Sequence, residues 1–193
     1  MPASQAATPQ SRRHVPGEEG LWVFIFGDLL VFAVFFITYA VARQQELALF
    51  ETSQALLDRH LGLLNTLLLL TSSLFVAQAV AAVRRGDKNA RPLLLGAIML
   101  GSGFVIVKAF EYSAKIAQGF TLNSNSFSIY YYMFTGIHLV HVLIGLGALG
   151  FALSRFDRAG QLQGGPALIE GSGAFWHLVD LLWIILFALL YLL

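Results

Sequence analysis

Five stretches of this chain are each long enough and apolar enough to cross a lipid bilayer, and this constrains the fold more than any other feature of the sequence. A membrane span needs about 20 mostly apolar residues, because a helix rises about 1.5 Å per residue through a hydrocarbon layer roughly 30 Å thick. The stretches run Leu21 to Ala42, Leu61 to Val83, Pro92 to Ala117, Ile129 to Leu153 and Ala174 to Leu193. The expected fold is all-α: a polytopic bundle of five transmembrane helices over residues 21–193, behind a polar tail at 1–20. Pro92 suits a helix start, where its missing N–H costs nothing. The tail has no apolar stretch of the kind that marks a secretory signal, so it reads as disordered or loosely attached. Loops are expected to be short, apart from a polar, Gly-rich one at Arg155–Gly173.

Composition agrees with lipid as the solvent. Only 12% of residues are charged, against about 25% in an ordinary soluble domain. The net charge of +1 gives no field that would favour nucleic acid. There is no cysteine. Disulfides, thiolate metal sites, iron–sulfur clusters and covalently attached c-type haem are thereby excluded.

Lys and Arg in the loops set the expected orientation. Arg12, Arg13, Arg84, Arg85, Lys88, Arg91, Arg155 and Arg158 fall on one side. The other side carries Arg43 and Arg59, with Lys115 at a helix end. The N-terminus is therefore expected in the cytoplasm and the C-terminus outside. No internal repeat is visible. An odd number of spans without matching broken helices argues against an inverted-repeat transporter.

Ionisable side chains are expensive inside a span and need partners. The candidates are Asp28 in the first span, Lys108 and Glu111 in the third, His138 and His141 in the fourth, and His177 and Asp180 in the fifth. Asn65, Thr66, Thr71, Ser72, Ser73 and Gln78 add neutral polarity to the second. Three of the pairs are spaced i, i+3, so each shares a helix face, expected to point into the bundle. Helix rise places Asp28, His141, His177 and Asp180 in one layer and Lys108, Glu111 and Asn65 in another. The plain expectation for Lys108–Glu111 is an intrahelical ion pair near the outer interface. For His177–Asp180 it is a carboxylate–imidazole pair, and for the other histidines, packing. Haem or metal ligation would need opposed histidines or a supporting donor set, and neither is evident. Asp28, a lone acid among Phe26, Gly27, Leu29 and Leu30, is a candidate for proton exchange. Gly27, Gly62, Gly96, Gly101, Gly103, Gly136, Gly145 and Gly147 are expected at close helix contacts. Trp22, Tyr112, Tyr130–Tyr132 and Tyr191 are expected in interfacial belts.

Together these motifs resemble subunit III of the haem-copper oxidase superfamily. The resemblance is carried by Gly27-Asp28-Leu29, Leu64-Asn65-Thr66 followed by Leu69 to Ser73, and Glu111-Tyr112. It continues in Gly136-Ile-His138-Leu-Val-His141-Val-Leu-Ile-Gly145, and in Glu170 followed by Phe175-Trp176-His177-Leu-Val-Asp180-Leu-Leu-Trp183. Mitochondrial-type members have seven spans and a buried Glu where this chain has five and Asp28. The five-span form, with Lys108-Ala-Phe-Glu111-Tyr112 and Tyr130–Tyr132, looks most like the NorE-type accessory proteins of nitric oxide reductase.

The resemblance implies a non-catalytic subunit or assembly factor, with no haem or metal of its own, packed against a catalytic haem-copper subunit in the bacterial cytoplasmic membrane. It also implies bound phospholipid. Arg155 matches an arginine that contacts a lipid phosphate, and Asp28 matches an acid linked to proton uptake. The alternative is an independent small transporter or proton channel using Asp28, His141 and Asp180.

Overall fold

The computed structural model describes residues 19–157 and 160–193. Most of the polar tail, with Arg12 and Arg13, lies outside these residues, as does Arg158. Six α-helices follow one another: α1 Glu19–Gln45, α2 Leu47–Gln54, α3 Arg59–Arg84, α4 Ala90–Ala117, α5 Ser126–Ser154 and α6 Ala167–Phe187. A π-helical turn, Ala188–Leu192, continues α6. Five of these elements are long and apolar enough to cross a membrane. No strand is present among the described residues. That is the arrangement lipid demands, since each backbone N–H and C=O must be satisfied within its own segment.

The helix ends follow from local sequence. Asp58 caps α3, its carboxylate accepting from the His60 and Leu61 amides at 2.8 and 3.3 Å. Asn125 and Ser128 cap α5 reciprocally, each side chain accepting from the other's amide, at 2.8 and 3.0 Å. Gly86 and Gly119 end α3 and α4 at φ +68° and +78°. At each end the glycine N–H and the next N–H reach back to the last turn: Gly86 to Val83 and Asp87 to Ala82, Gly119 to Ile116 and Phe120 to Lys115. This is the paired closure that a left-handed residue permits at a helix C-terminus.

Two expected boundaries shift. The segment between the first two spans is not a plain loop, because α2 folds there with Phe50 buried against Tyr39 and Phe127. The last span starts at Ala167 and not at residue 174, so Glu170 sits in a helix. The sequence around it, with Gly171, Ser172 and Gly173, is poor in helix propensity. Burial of Ile169, Ser172 and Gly173 overrides that preference.

Helix α6 forms the centre, packed against α3 and α5, while α3 and α4 make a close antiparallel hairpin. Trp176 and Trp183 of α6 are wholly buried. Trp176 occupies a slot between Gly101 and Gly145, where an added Cβ would stand 2.8 and 2.6 Å from its ring. Gly62 makes similar room for Phe187, and Gly96 for Phe75. Gly27, Gly136 and Gly147 do not sit at close contacts, since a Cβ there meets nothing within 4 Å. Helix α1 is peripheral. Val23, Leu30 and Ile37 are 74%, 69% and 64% exposed, while Ile25, Phe32 and Tyr39 face the bundle.

Candidate functional site

The polar side chains predicted for the core form three hydrogen-bonded groups. The first joins α1 to α5. His141 Nε2 lies 3.1 Å from Asp28 Oδ1, and His141 Nδ1 lies 2.8 Å from the Ile137 carbonyl. A carbonyl only accepts, so Nδ1 must carry the proton of that bond. The Nε2–Oδ1 contact then needs a further proton, held either by the imidazole or by the carboxyl. The pair is thus a one-proton unit. Losing that proton would set a carboxylate against an imidazole lone pair. Phe32 and Phe175 line the ring, with centroids at 5.7 and 6.3 Å.

The second group joins α3 to α6. Ser73 Oγ lies 2.6 Å from His177 Nδ1, and Asp180, one turn on, also faces Ser73. The expected His177–Asp180 pair is not formed among the described residues, because the α3 hydroxyl stands between them as the common partner. His177 is exposed and lines a groove of about 480 Å³ with Trp22, Ala77, Arg84, Glu170 and Leu181. At the groove's end Arg84 Nε donates to Glu170 Oε1 at 2.8 Å.

The third group is wholly buried. Lys108 Nζ donates to Glu111 Oε2 at 3.0 Å, with side chains 0% and 1% exposed. The expected intrahelical ion pair is formed, and it is enclosed by the bundle. Lys108 also donates to Tyr191 Oη at 2.9 Å and Tyr131 Oη at 3.3 Å. Both phenols donate in turn to Glu111 Oε1, at 2.5 and 2.9 Å. The ammonium lies over the Tyr131 and Trp183 rings at 4.9 and 5.3 Å, a cation–π setting. Sequence reasoning missed Tyr131 and Tyr191 as partners, having placed them in interfacial belts. Aromatics near span ends look alike whether they face headgroups or a buried charge.

His138 and Asn65 join none of these groups. Both are fully buried, and their side-chain nitrogen and oxygen atoms have no hydrogen-bond partner among the described residues. His138 packs against Phe104 and Trp183 at 5.6 and 5.2 Å. Trp183 donates to Thr66, next to Asn65, at 3.0 Å. Among the described residues no three His, Asp or Glu side chains converge as a metal-binding group.

Arg155 caps the C-terminus of α5, exposed, its guanidinium 4.7 Å from the Phe151 ring. Down the same side of α5, Ile144 and Ala148 wall a groove of about 620 Å³, shared with Leu21 and Phe24 of α1 and Leu168 and Phe175 of α6.

The five-span chain as a whole has relatives among known proteins. The cytochrome c oxidase subunit III profile matches residues 15–193. The chain belongs to the cytochrome c oxidase subunit III family. It is 30% identical to a cytochrome c oxidase subunit 3 of Bacillus subtilis, over 90% of this chain and 84% of that one. It is 27% identical to the corresponding protein of Bacillus sp. PS3, over 96% of this chain and 91% of that one. It is also 31% identical to a heme-copper oxidase subunit I+III of Aeropyrum pernix, over 89% of this chain but only 22% of that longer one. Subunit III is an accessory subunit, and this member is a multi-pass membrane protein.

Proposed function

We propose that this chain is the non-catalytic subunit III of a respiratory haem-copper oxidoreductase, seated beside the catalytic subunit in the bacterial cytoplasmic membrane with its N-terminus inside. The observation that carries this reading is family membership across nearly the whole membrane part. The fused I+III relative supports it, because its name joins the two subunits in one polypeptide. The terminal acceptor divides the proposal. The relatives' names favour a cytochrome c oxidase. The NorE-type reading rests on Lys108-Ala-Phe-Glu111-Tyr112 and Tyr130–Tyr132. The five-span form does not separate the two, since this chain spans 91% of a Bacillus oxidase subunit.

Within that role Asp28 and His141 act as a proton-exchanging pair. Their contact holds one proton in either of two positions, and its side chains are 11% and 13% exposed at the edge of the bundle. Neither position leaves a net charge in the membrane, so the proton moves between them without the cost of isolating an ion there. A phospholipid lies with its phosphate at Arg155 and an acyl chain in the groove between α1 and α5. The single face running from Ile144 through Ala148 and Phe151 to Arg155 supports that placement.

The test is a tagged copy of this chain purified from native membranes. A catalytic subunit with haem absorption should co-purify, and its oxygen or nitric oxide consumption identifies the acceptor. A preparation without haem would overturn the reading. Asp28→Asn should leave assembly intact and lower sustained turnover, because an amide can still donate to Nε2 but cannot release a proton. Unchanged turnover would remove the proton role alone.

A further inference from the structure

The hairpin between α3 and α4 holds a groove that none of these roles uses. It has a volume of about 550 Å³ and is lined by Phe75, Ala82, Pro92 and Leu93 on its apolar side and by Gln78, Arg85, Asp87 and Asn89 on its polar side. Gln78 of α3 and Arg85, the residue that caps it, are seven residues apart, which puts them on one face about 10 Å apart along the axis. Both are exposed, and neither side chain makes a hydrogen bond or ion pair among the described residues. Gln78 lies about two turns inside a span, where an amide turned to hydrocarbon is costly without a partner. Lys88 and Arg91 are also exposed at this turn, while Arg84 is paired with Glu170. The one acid of the lining, Asp87, is turned to Asn89, its carboxylate accepting from that residue's backbone and side-chain amides at 3.0 and 3.4 Å, and its single negative charge is outnumbered by Arg85, Lys88 and Arg91. The mouth of the groove is therefore cationic, its depth apolar, and one neutral donor sits between.

We propose that this groove binds an anionic phospholipid, with the phosphate on Arg85, the ester oxygens within reach of the Gln78 amide, and an acyl chain against Phe75 and Leu93. The order of chemistry along the groove matches the order of chemistry along such a lipid. Clustered cations just outside a span add attraction for anionic headgroups. The site is separate from the Arg155 groove, and it does not depend on the identity of the partner subunit.

The test is native mass spectrometry of the delipidated full chain in mixed micelles carrying phosphatidylglycerol or phosphatidylcholine. Phosphatidylglycerol should be retained at least fivefold better. Arg85→Ala and Gln78→Leu should each reduce its retention threefold or more, while Arg85→Lys, which keeps the charge, should hold it. Arg155→Ala should leave this lipid bound, and so tells the two sites apart. Equal retention of the two lipids, or retention unaffected by Arg85→Ala and Gln78→Leu, overturns the proposal. So does a cross-link from Gln78→Cys to a partner polypeptide in native membranes, an unambiguous probe in a chain without cysteine.

Discussion

At the scale of single residues, Lys108 is the side chain whose environment departs furthest from what its chemistry prefers. An ammonium with no exposed surface survives because a carboxylate and two phenols hold it, and because aromatic faces surround it. Removing one member of a buried ion pair strands the other, at a cost of about 3–5 kcal/mol. Lys108→Met should therefore lower the unfolding midpoint in detergent sharply. Lys108→Met with Glu111→Leu should recover much of that loss, since no uncompensated charge remains. His138 makes the opposite case. Its ring nitrogens bond nothing and its neighbours are aromatic. His138→Phe should change stability by no more than about 1 kcal/mol in the same assay. A larger loss would mean that the imidazole has a polar role the packing does not reveal.

At the scale of elements, the contact of α6 with α4 and α5 turns on two glycines. Trp176 fills space that a methyl group at position 101 or 145 would claim. Overpacking of this kind costs about 1–3 kcal/mol. Gly145→Ala should fall in that range by chemical or thermal unfolding in detergent, whereas Gly147→Ala, two residues along the same helix, should be close to neutral. The short α2 shows how little local signal an element needs when others hold it. Gln54 donates to the Leu189 carbonyl at 2.9 Å and to Tyr39 at 3.2 Å, and Asn125 donates to Ser53 at 3.0 Å. Lys115 bonds the Leu56 carbonyl beside it. An eight-residue helix would not stand alone in water.

At the scale of the whole molecule, α1 is attached more loosely than the other spans. Its polar ties to the bundle include Asp28–His141, Tyr39 donating to Leu189 at 3.0 Å, Gln54 donating to Tyr39, and Arg43 donating to the Leu193 carbonyl at its far end. Asp28→Leu should therefore raise amide hydrogen exchange across residues 20–45 while leaving α3 to α6 protected. Asp28→Asn, which keeps a donor for Nε2, should not. The two variants separate the structural part of the pair from its proton-exchanging part. Looseness of this kind concentrates motion in elements with few buried contacts. It would also let α1 adjust to lipid in the grooves beside it.

Span number, helix class and span boundaries, apart from the start of the last span, were legible from hydropathy, because the bilayer imposes a length and a polarity that any spanning helix must meet. So were the ionisable side chains that the bundle pairs, Asp28, His141, Lys108 and Glu111 among them, because an ionisable group in lipid announces itself by its cost. Their partners on other helices were not legible. Spacing along one helix put His177 with Asp180, whereas the neighbouring helix supplied Ser73. It paired Lys108 with Glu111 correctly but did not supply Tyr131 and the π-helical turn carrying Tyr191, which enclose them. Which glycines touch a neighbour was likewise invisible, for Gly145 and Gly147 read the same in a helix and differ only in what faces them. A sequence states what each helix must hide, but the rotation and depth of the helices around it decide from which neighbour the hiding comes.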